Sequence, residues 1–333
     1  MTEHAVQKLR LSSPADLVEA VPYLLGYHPA DSLVGLALRG PRRRVVFSMR
    51  MDLPEPGDDQ GAGCAAEAAA AYLARARGEQ AVLVVYDDTP HTADGLTRRE
   101  LVEQTAEALQ QHGIGLLDAV HVAGGQWWSY TCDVSTCCPR EGSPIPAAGA
   151  SAVAATATYA GLVALPNREA VGKVLEPQGF PARQVMARAL AHADEDLAAR
   201  ITGPASLAAV REESLGLLAA AADGEQVLSD DEAARLIVGL EDIAVRDACC
   251  AWTGTARAGA AQRLWQQLVR RSAPGYDVVP LAMVGWSAWS AGDSTLARIA
   301  LDRCLAGDPD YSLARLLSRA LDSAVDPAGV RDW

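Results

Sequence analysis

The sequence predicts an α/β domain over residues 1–147, built on a mixed, mostly parallel sheet with crossover helices, followed by an all-α region over residues 148–333. Three observations carry this. Strand-like and helix-like stretches alternate between residues 33 and 130, the order that parallel strands joined by crossover helices require. After about residue 147 the strand signals stop, and helical stretches follow one another between prolines and glycines. The length of 333 residues suits two domains, and half the residues are apolar, enough to fill a core in each.

Ser13-Pro14-Ala15-Asp16 has the form of a helix start, with Ser13 as cap, Pro14 in the first turn and Asp16 near the positive end of the dipole. Leu17, Val18, Val21, Leu24 and Leu25 keep one face, Pro22 interrupts the ladder, and Gly26 ends it. An apolar strand over Leu33–Leu38, a Gly40-Pro41 turn and a second strand over Val45–Leu53 follow. In the second strand Val45, Phe47, Met49 and Met51 alternate with polar or outward positions. A loop rich in Pro, Gly and Asp leads to an Ala-rich helix over Cys64–Arg77. The continuous apolar run Ala81–Tyr86 then fits a central strand covered on both faces. A helix over Thr97–His112, a strand over Leu117–Val122 and a Gly124-Gly125 turn into Gln126–Tyr130 complete the domain.

The helical region is punctuated at Pro166, Pro177, Pro181, Gly203-Pro204, Gly224, Gly254, Pro274 and Pro309, and Ser229 with Glu232 forms a capping box. Within residues 276–323, Gly285, Gly292, Ala297, Leu301, Cys304 and Pro309 follow the spacing of a tetratricopeptide-like hairpin. Such hairpins stack into grooves for partner segments, so the C-terminal helices are a candidate protein-docking surface. The plainer alternative is a hairpin packed on its neighbours, with Trp286 and Trp289 as core.

Charge narrows the partners. The formal net charge is −13, and the acid is spread evenly: residues 1–150 carry 19 Asp/Glu against 12 Lys/Arg. Neither half is basic, which excludes nucleic acid as a partner by the usual counterion-release route and disfavours an anionic membrane. Basic charge is almost all Arg, with Lys8 and Lys173 the exceptions, a composition that suggests a GC-rich bacterial genome. Residues 1–10 are charged and lack an apolar run, so no secretory signal is expected there. From Gly142 to Asn167 there is no charged residue, but Ala, Gly, Ser and Thr dominate and Pro144 and Pro146 intervene. That stretch reads as a loop and a buried helix, not a membrane span. Seven cysteines without a secretory context imply reduced thiols and a cytoplasmic location.

The segment Trp127-Trp128-Ser129-Tyr130-Thr131-Cys132-Asp133-Val134-Ser135-Thr136-Cys137-Cys138-Pro139 concentrates three thiols within seven residues. Thiolates in a tight loop can hold a soft cation such as Zn²⁺, with His121, His28 or Cys64 as a fourth ligand. The spacing is C-x4-C-C, and neighbouring cysteines are expected to point apart. A redox thiol pair and buried apolar thiols are the alternatives. Asp87, Asp88 and His91 follow the central strand, at the end where open α/β sheets bind ligands, and make a second candidate site for acid/base work in a small-molecule or nucleotide-binding enzyme. A solvated turn is the plainer reading of those acids. Gly61-Ala62-Gly63-Cys64-Ala65-Ala66 superficially matches a dinucleotide fingerprint, although Asp58 and Asp59 would repel a pyrophosphate. His28, Asp31 and Ser32 include the residue types of a hydrolytic triad, yet sequence neighbours rarely reach its geometry. Arg42, Arg43 and Arg44 read as a solvated turn.

Four segments together resemble the bacterial domain of unknown function 4192 family over nearly the whole chain. They are Ser13-Pro14-Ala15-Asp16 continuing through Pro22-Tyr23-Leu24-Leu25-Gly26-Tyr27-His28-Pro29-Ala30-Asp31-Ser32-Leu33-Val34; Trp128 to Cys132 with Cys137-Cys138-Pro139 and Glu141-Gly142; Tyr159-Ala160-Gly161 with Arg168-Glu169; and Gly292 to Tyr311. The resemblance implies that the first segment and the cysteine segment belong to one recurrent domain, and it implies no reaction.

Overall fold

The structure, a computed structural model, describes residues 13–89, 95–132, 134, 136–146, 151–204, 206–224 and 227–330. The chain divides into two compact units, one ending at Arg168 and the other beginning at Glu169.

In the first unit, helix α1 (Pro14–Leu25) opens on a full capping box: Asp16 N donates to Ser13 Oγ at 3.2 Å, and Ser13 N donates to Asp16 Oδ2 at 3.1 Å. The helix runs on through Pro22 and closes at Gly26, whose φ of 80° suits a residue without a Cβ. Then come β1 (Ser32–Arg39), β2 (Arg44–Asp52), α2 (Asp59–Arg75), β3 (Gln80–Tyr86), α3 (Arg99–Gln111), β4 (Gly115–Ala123), β5 (Gln126–Ser129), β6 (Ser143–Pro144) and α4 (Ala152–Tyr159). Among the described residues the strands form one six-stranded sheet in the order β2-β1-β3-β4-β5-β6.

The sheet is mixed, as expected, but not mostly parallel. Only β3 and β4 pair parallel; the other neighbouring pairs are antiparallel. The reason is topological. The tight turn at Gly40–Arg43 folds β2 back along β1, and β1 then lies between β2 and β3. Crossover α2 therefore joins two strands that run the same way without being neighbours, while α3 joins a true parallel pair.

The sheet is covered on both sides. On one face Leu33, Ala37, Leu83, Val85 and Ala119 meet α2 and α3; on the other, Val34, Leu36, Val82, Val84, Val120 and Val122 meet α1. This is why β1 and β3 are almost continuously buried. Gly35 lets α2 come close: a Cβ there would sit 3.1 Å from Leu73 Cδ1.

The second unit is helix-rich. It comprises α5 (which begins one residue earlier; Arg168–Gly172), α6 (Ala182–Thr202), α7 (Leu207–Asp223), α8 (Asp230–Gly239), α9 (Ile243–Cys250), α10 (Ala258–Arg271), α11 (Val278–Ala291), α12 (Ser294–Gly307) and α13 (Ser312–Asp322). Helix α8 opens on the expected Ser229/Glu232 capping box. Helix α11 is buried over most of its length and packs against α10, α12 and α13. Gly285 lets α12 approach closely, since a Cβ there would meet Leu301 Cδ2 at 2.6 Å. Trp289 is buried, and the Trp286 indole donates to Thr253 Oγ1 at 2.8 Å and to the Cys250 carbonyl. No helix among the described residues is long and apolar enough to cross a membrane.

Candidate functional site

The cysteine segment leaves β5 and is folded by its own polar groups. Ser129 Oγ accepts from the amides of Thr131 and Cys132 at 3.1 and 3.0 Å, turning the chain out of the strand. Thr131 Oγ1 donates to Asp118 Oδ1 at 2.9 Å, which pins that turn to β4. The amides of Cys137 and Cys138 both donate to the Val134 carbonyl, at 3.0 and 2.7 Å, closing a second turn. The far end is anchored by Trp128, whose indole donates to the Arg140 carbonyl at 3.1 Å and packs on Gly142. Gly142 has φ +86° and leaves no room for a Cβ, which would lie 2.6 Å from Trp128 Cε2.

These turns bring the three sulfurs together. Cys132 Sγ and Cys137 Sγ are 3.5 Å apart, as are Cys137 Sγ and Cys138 Sγ, and all three fall within 4.8 Å of one another. Zn–S bonds of about 2.3 Å at tetrahedral angles need sulfurs about 3.8 Å apart, so the spacing is close to that of a thiolate cation site. The expectation that neighbouring cysteines diverge fails here. Side chains alternate in a strand, but Cys137 and Cys138 sit in a turn where successive amides share one acceptor.

The surroundings are not those of a buried apolar cluster: Cys137 is exposed, and Cys132 and Cys138 are half-buried. Burial, followed by the hydrogen bonds and charges of Cys132 and Cys137, pushes the Cys138 thiol up to about 12. Thiols this close oppose one another's ionisation, whereas a cation among them reverses that balance. A redox or nucleophilic thiol needs its ionisation made easier, and Cys138 has the opposite environment.

None of the expected fourth ligands joins the three sulfurs. His121 is fully buried, with Nδ1 3.0 Å from the Tyr130 hydroxyl; that hydroxyl donates to the Thr97 carbonyl at 2.7 Å, so Nδ1 carries the proton. His28 is exposed and lies with the residues around the strand ends, and Cys64 is exposed on α2. Asp133 and Ser135 lie outside the described residues.

The second candidate site is also visible in part. Asp87 is 4 % exposed, and both its oxygens are occupied: Oδ2 accepts from Arg98 Nε at 2.6 Å and Oδ1 from Thr89 N at 2.9 Å. Burial raises the Asp87 carboxyl, but the Arg98 and Thr89 bonds outweigh it and hold it below the usual carboxylate range. Asp88 Oδ1 accepts from Gly124 N at 2.9 Å, fastening the β4–β5 turn. Both acids thus hold the ends of strands, and His91 lies outside the described residues.

The remaining motifs dissolve into local structure. Gly61 and Gly63 stand inside α2, whose first turn is capped by Asp58 at Gly61 N (2.9 Å), so a carboxylate of the chain occupies the place a pyrophosphate would take. Ser32 is buried in β1, and its hydroxyl makes no bond to His28 or Asp31. Arg42 and Arg43 are exposed in the β1–β2 turn.

A cavity of about 510 Å³ opens where β3 and β4 end, walled by α1, the 28–31 turn, the β4–β5 turn and α4. Sequence reasoning expected ligands at strand ends and named Asp87, Asp88 and His91; the two acids line the cavity, together with His28 and Asp31, which were singled out for a different chemistry. Its other walls come from segments too far apart along the chain to form a motif. The thiols sit toward the other end of the sheet, because β5 runs antiparallel to β4 and Tyr130 N returns to the Ala119 carbonyl.

The model of the family described as domain of unknown function 4192 matches residues 14–328. Comparison with curated proteins and with solved structures finds no match.

Proposed function

The chain belongs to the domain of unknown function 4192 family, and we propose that its α/β unit is a metal-binding domain in which Cys132, Cys137 and Cys138 hold Zn²⁺. The convergence of three sulfur atoms within 4.8 Å, on a loop held by hydrogen bonds at Cys132, Cys137 and Cys138, carries this reading. Three thiolates leave one position of a tetrahedral ion for solvent or a further ligand. Such thiolates persist in a reducing compartment, which fits a cytoplasmic protein, and the net charge of −13 fits one that does not engage nucleic acid.

Elemental analysis of the purified full chain is the test. One zinc per chain is expected, lost in Cys137→Ser, with thiolate-to-cobalt charge-transfer bands when Co²⁺ replaces zinc. Protein that takes up neither ion, with stability indifferent to chelator, would end the proposal. A Cys132–Cys137 disulfide formed by mild oxidant and reversed by dithiothreitol, in protein that binds no metal, would put a redox pair in its place.

For the second unit, the close α11–α12 pair at Gly285 and Leu301 supports a tetratricopeptide-like hairpin over residues 276–323, and with it a protein partner for the C-terminal helices.

A further inference from the structure

We propose that the cavity at the carboxyl ends of β3 and β4 binds a small organic cation, an amine carried on an apolar or aromatic body. The site is separate from the thiol loop and does not depend on it.

The volume of about 510 Å³ is that of a small-molecule pocket. Its walls are chemically divided. Val18, Pro22, Val122 and Ile145 supply apolar surface, and Tyr23 and Tyr86 line it as well. The charged groups in the wall are Glu19, Asp31, Asp87 and Asp88, with His28 the one basic residue and neither Lys nor Arg among the described lining. Asp87 is already neutralised by Arg98, so Glu19, Asp31 and Asp88 set the charge. An anion such as a nucleotide phosphate would meet repulsion there. The positive end of α4, which faces the cavity, is taken by its own Ser151 hydroxyl. A cation gains from the same field.

Two polar groups in the wall lack hydrogen-bond partners: Glu19 Oε2, and the hydroxyl of Tyr86, a residue only 8 % exposed. Buried polar groups are normally paired, and an ammonium supplies donors for both. A metal ion is a poorer fit. Among the described residues only the three cysteines bring their ligand atoms close enough to hold one, so these carboxylates are spread around a volume and not gathered on a point.

Three probes of one shape and different charge test this on the full chain: 2-phenylethylammonium, neutral 2-phenylethanol and anionic 3-phenylpropanoate, titrated by calorimetry and ligand-observed NMR. The ammonium is expected to saturate below about 10 mM, and the alcohol and the anion to bind at least about tenfold more weakly. Glu19→Gln and Asp88→Asn are each expected to weaken the ammonium about tenfold without changing the alcohol. Saturation by the anion as tight as by the ammonium, affinity unchanged in both variants, or no saturation by the ammonium overturns the proposal. The three-probe comparison needs only the unmodified protein, so it decides even if a variant fails to fold. Zinc content plays no part in these readouts, and a protein without metal that still prefers the ammonium would leave this site standing alone.

Discussion

Substituting Gly142 by alanine tests whether the thiol loop is held in shape by the Trp128 indole. Two costs can be worked from the geometry. At φ +86° an alanine occupies left-handed backbone, at about 1–2 kcal/mol. Its Cβ would also stand 2.6, 2.7 and 2.9 Å from Trp128 Cε2, Cζ2 and Nε1, all closer than real Cβ contacts come. The ring must move, which strains or breaks its 3.1 Å bond to the Arg140 carbonyl. Trp128 is half-buried and can swing partly outward, so the second cost lies near the lower end of the overpacking range, about 1–2 kcal/mol.

The sum is about 2–4 kcal/mol, felt where Cys132 is aligned with Cys137 and Cys138, and where all of it falls on the zinc-bound loop the affinity should drop about 30–800-fold. Competition with a chromophoric chelator reads the affinity, and thermal unfolding with and without chelator reads the stability. Gly124→Ala is the control: Gly124 has φ +54°, with open space where its Cβ would go, so only the backbone cost applies. If Gly142→Ala and Gly124→Ala destabilise equally and Gly142→Ala binds zinc like the parent, the indole does not organise the loop.

Asp87→Asn should cost about 2–4 kcal/mol at neutral pH by leaving the largely buried Arg98 without its counter-charge. Because folding holds the Asp87 carboxyl below its ordinary value, its contribution is complete above the unfolded pKa of about 4 and fades as pH falls through the folded one. The variant's stability should therefore converge on the parent's in acid, and parallel denaturation curves from pH 7 to pH 2 would contradict this. In timed alkylation followed by peptide mapping, exposed Cys64 should react early. Cys249 and Cys304, whose thiols burial pushes up to about 12, should react last. Added zinc should protect Cys132, Cys137 and Cys138 while leaving the Cys64 rate unchanged. Tyr130→Phe removes the donor to the Thr97 carbonyl and should lower stability by about 1–3 kcal/mol in urea unfolding while zinc stoichiometry stays the same.

Much of the fold was legible because it rests on local signals. Ser13, Pro14, Asp16 and Gly26 mark both ends of α1, and the unbroken apolar run from Ala81 to Tyr86 marks a strand covered on both faces. What could not be read is which strand lies beside which. Strand–helix–strand order gives β2 and β3 the same direction, but nothing local says that β1 will lie between them. The thiol site was legible as composition, and its geometry was not. Convergence of Cys137 with Cys138 depends on two amides sharing the Val134 carbonyl, and the loop's closure depends on Trp128 meeting Gly142, contacts with no signature in residue type. Asp87 and Asp88 were found for their position, but their partners Arg98 and Gly124 lie 11 and 36 residues away.

The two sites share a scaffold more closely than their separation suggests. Tyr130, next but one to Cys132, donates through its hydroxyl to the Thr97 carbonyl, and the following residue, Arg98, holds Asp87 in the cavity wall. Arg98 also donates to the Pro54 carbonyl at 2.7 Å, tying the loop before α2 to the start of α3. The polar groups that fix the loop's origin and the cavity's wall are thus tied to two neighbouring residues, Thr97 and Arg98. Losing the bond made by a largely buried polar group such as Asp87 or Tyr130 is costly. This arrangement uses Tyr130 twice: its hydroxyl supplies the bond to Thr97, and its ring packs on the α2/α3 side of the sheet. It also separates the roles of the acids. Asp87 belongs to the scaffold, and the groups left to meet a ligand are Glu19, Asp31 and Asp88, at the open end of the same sheet.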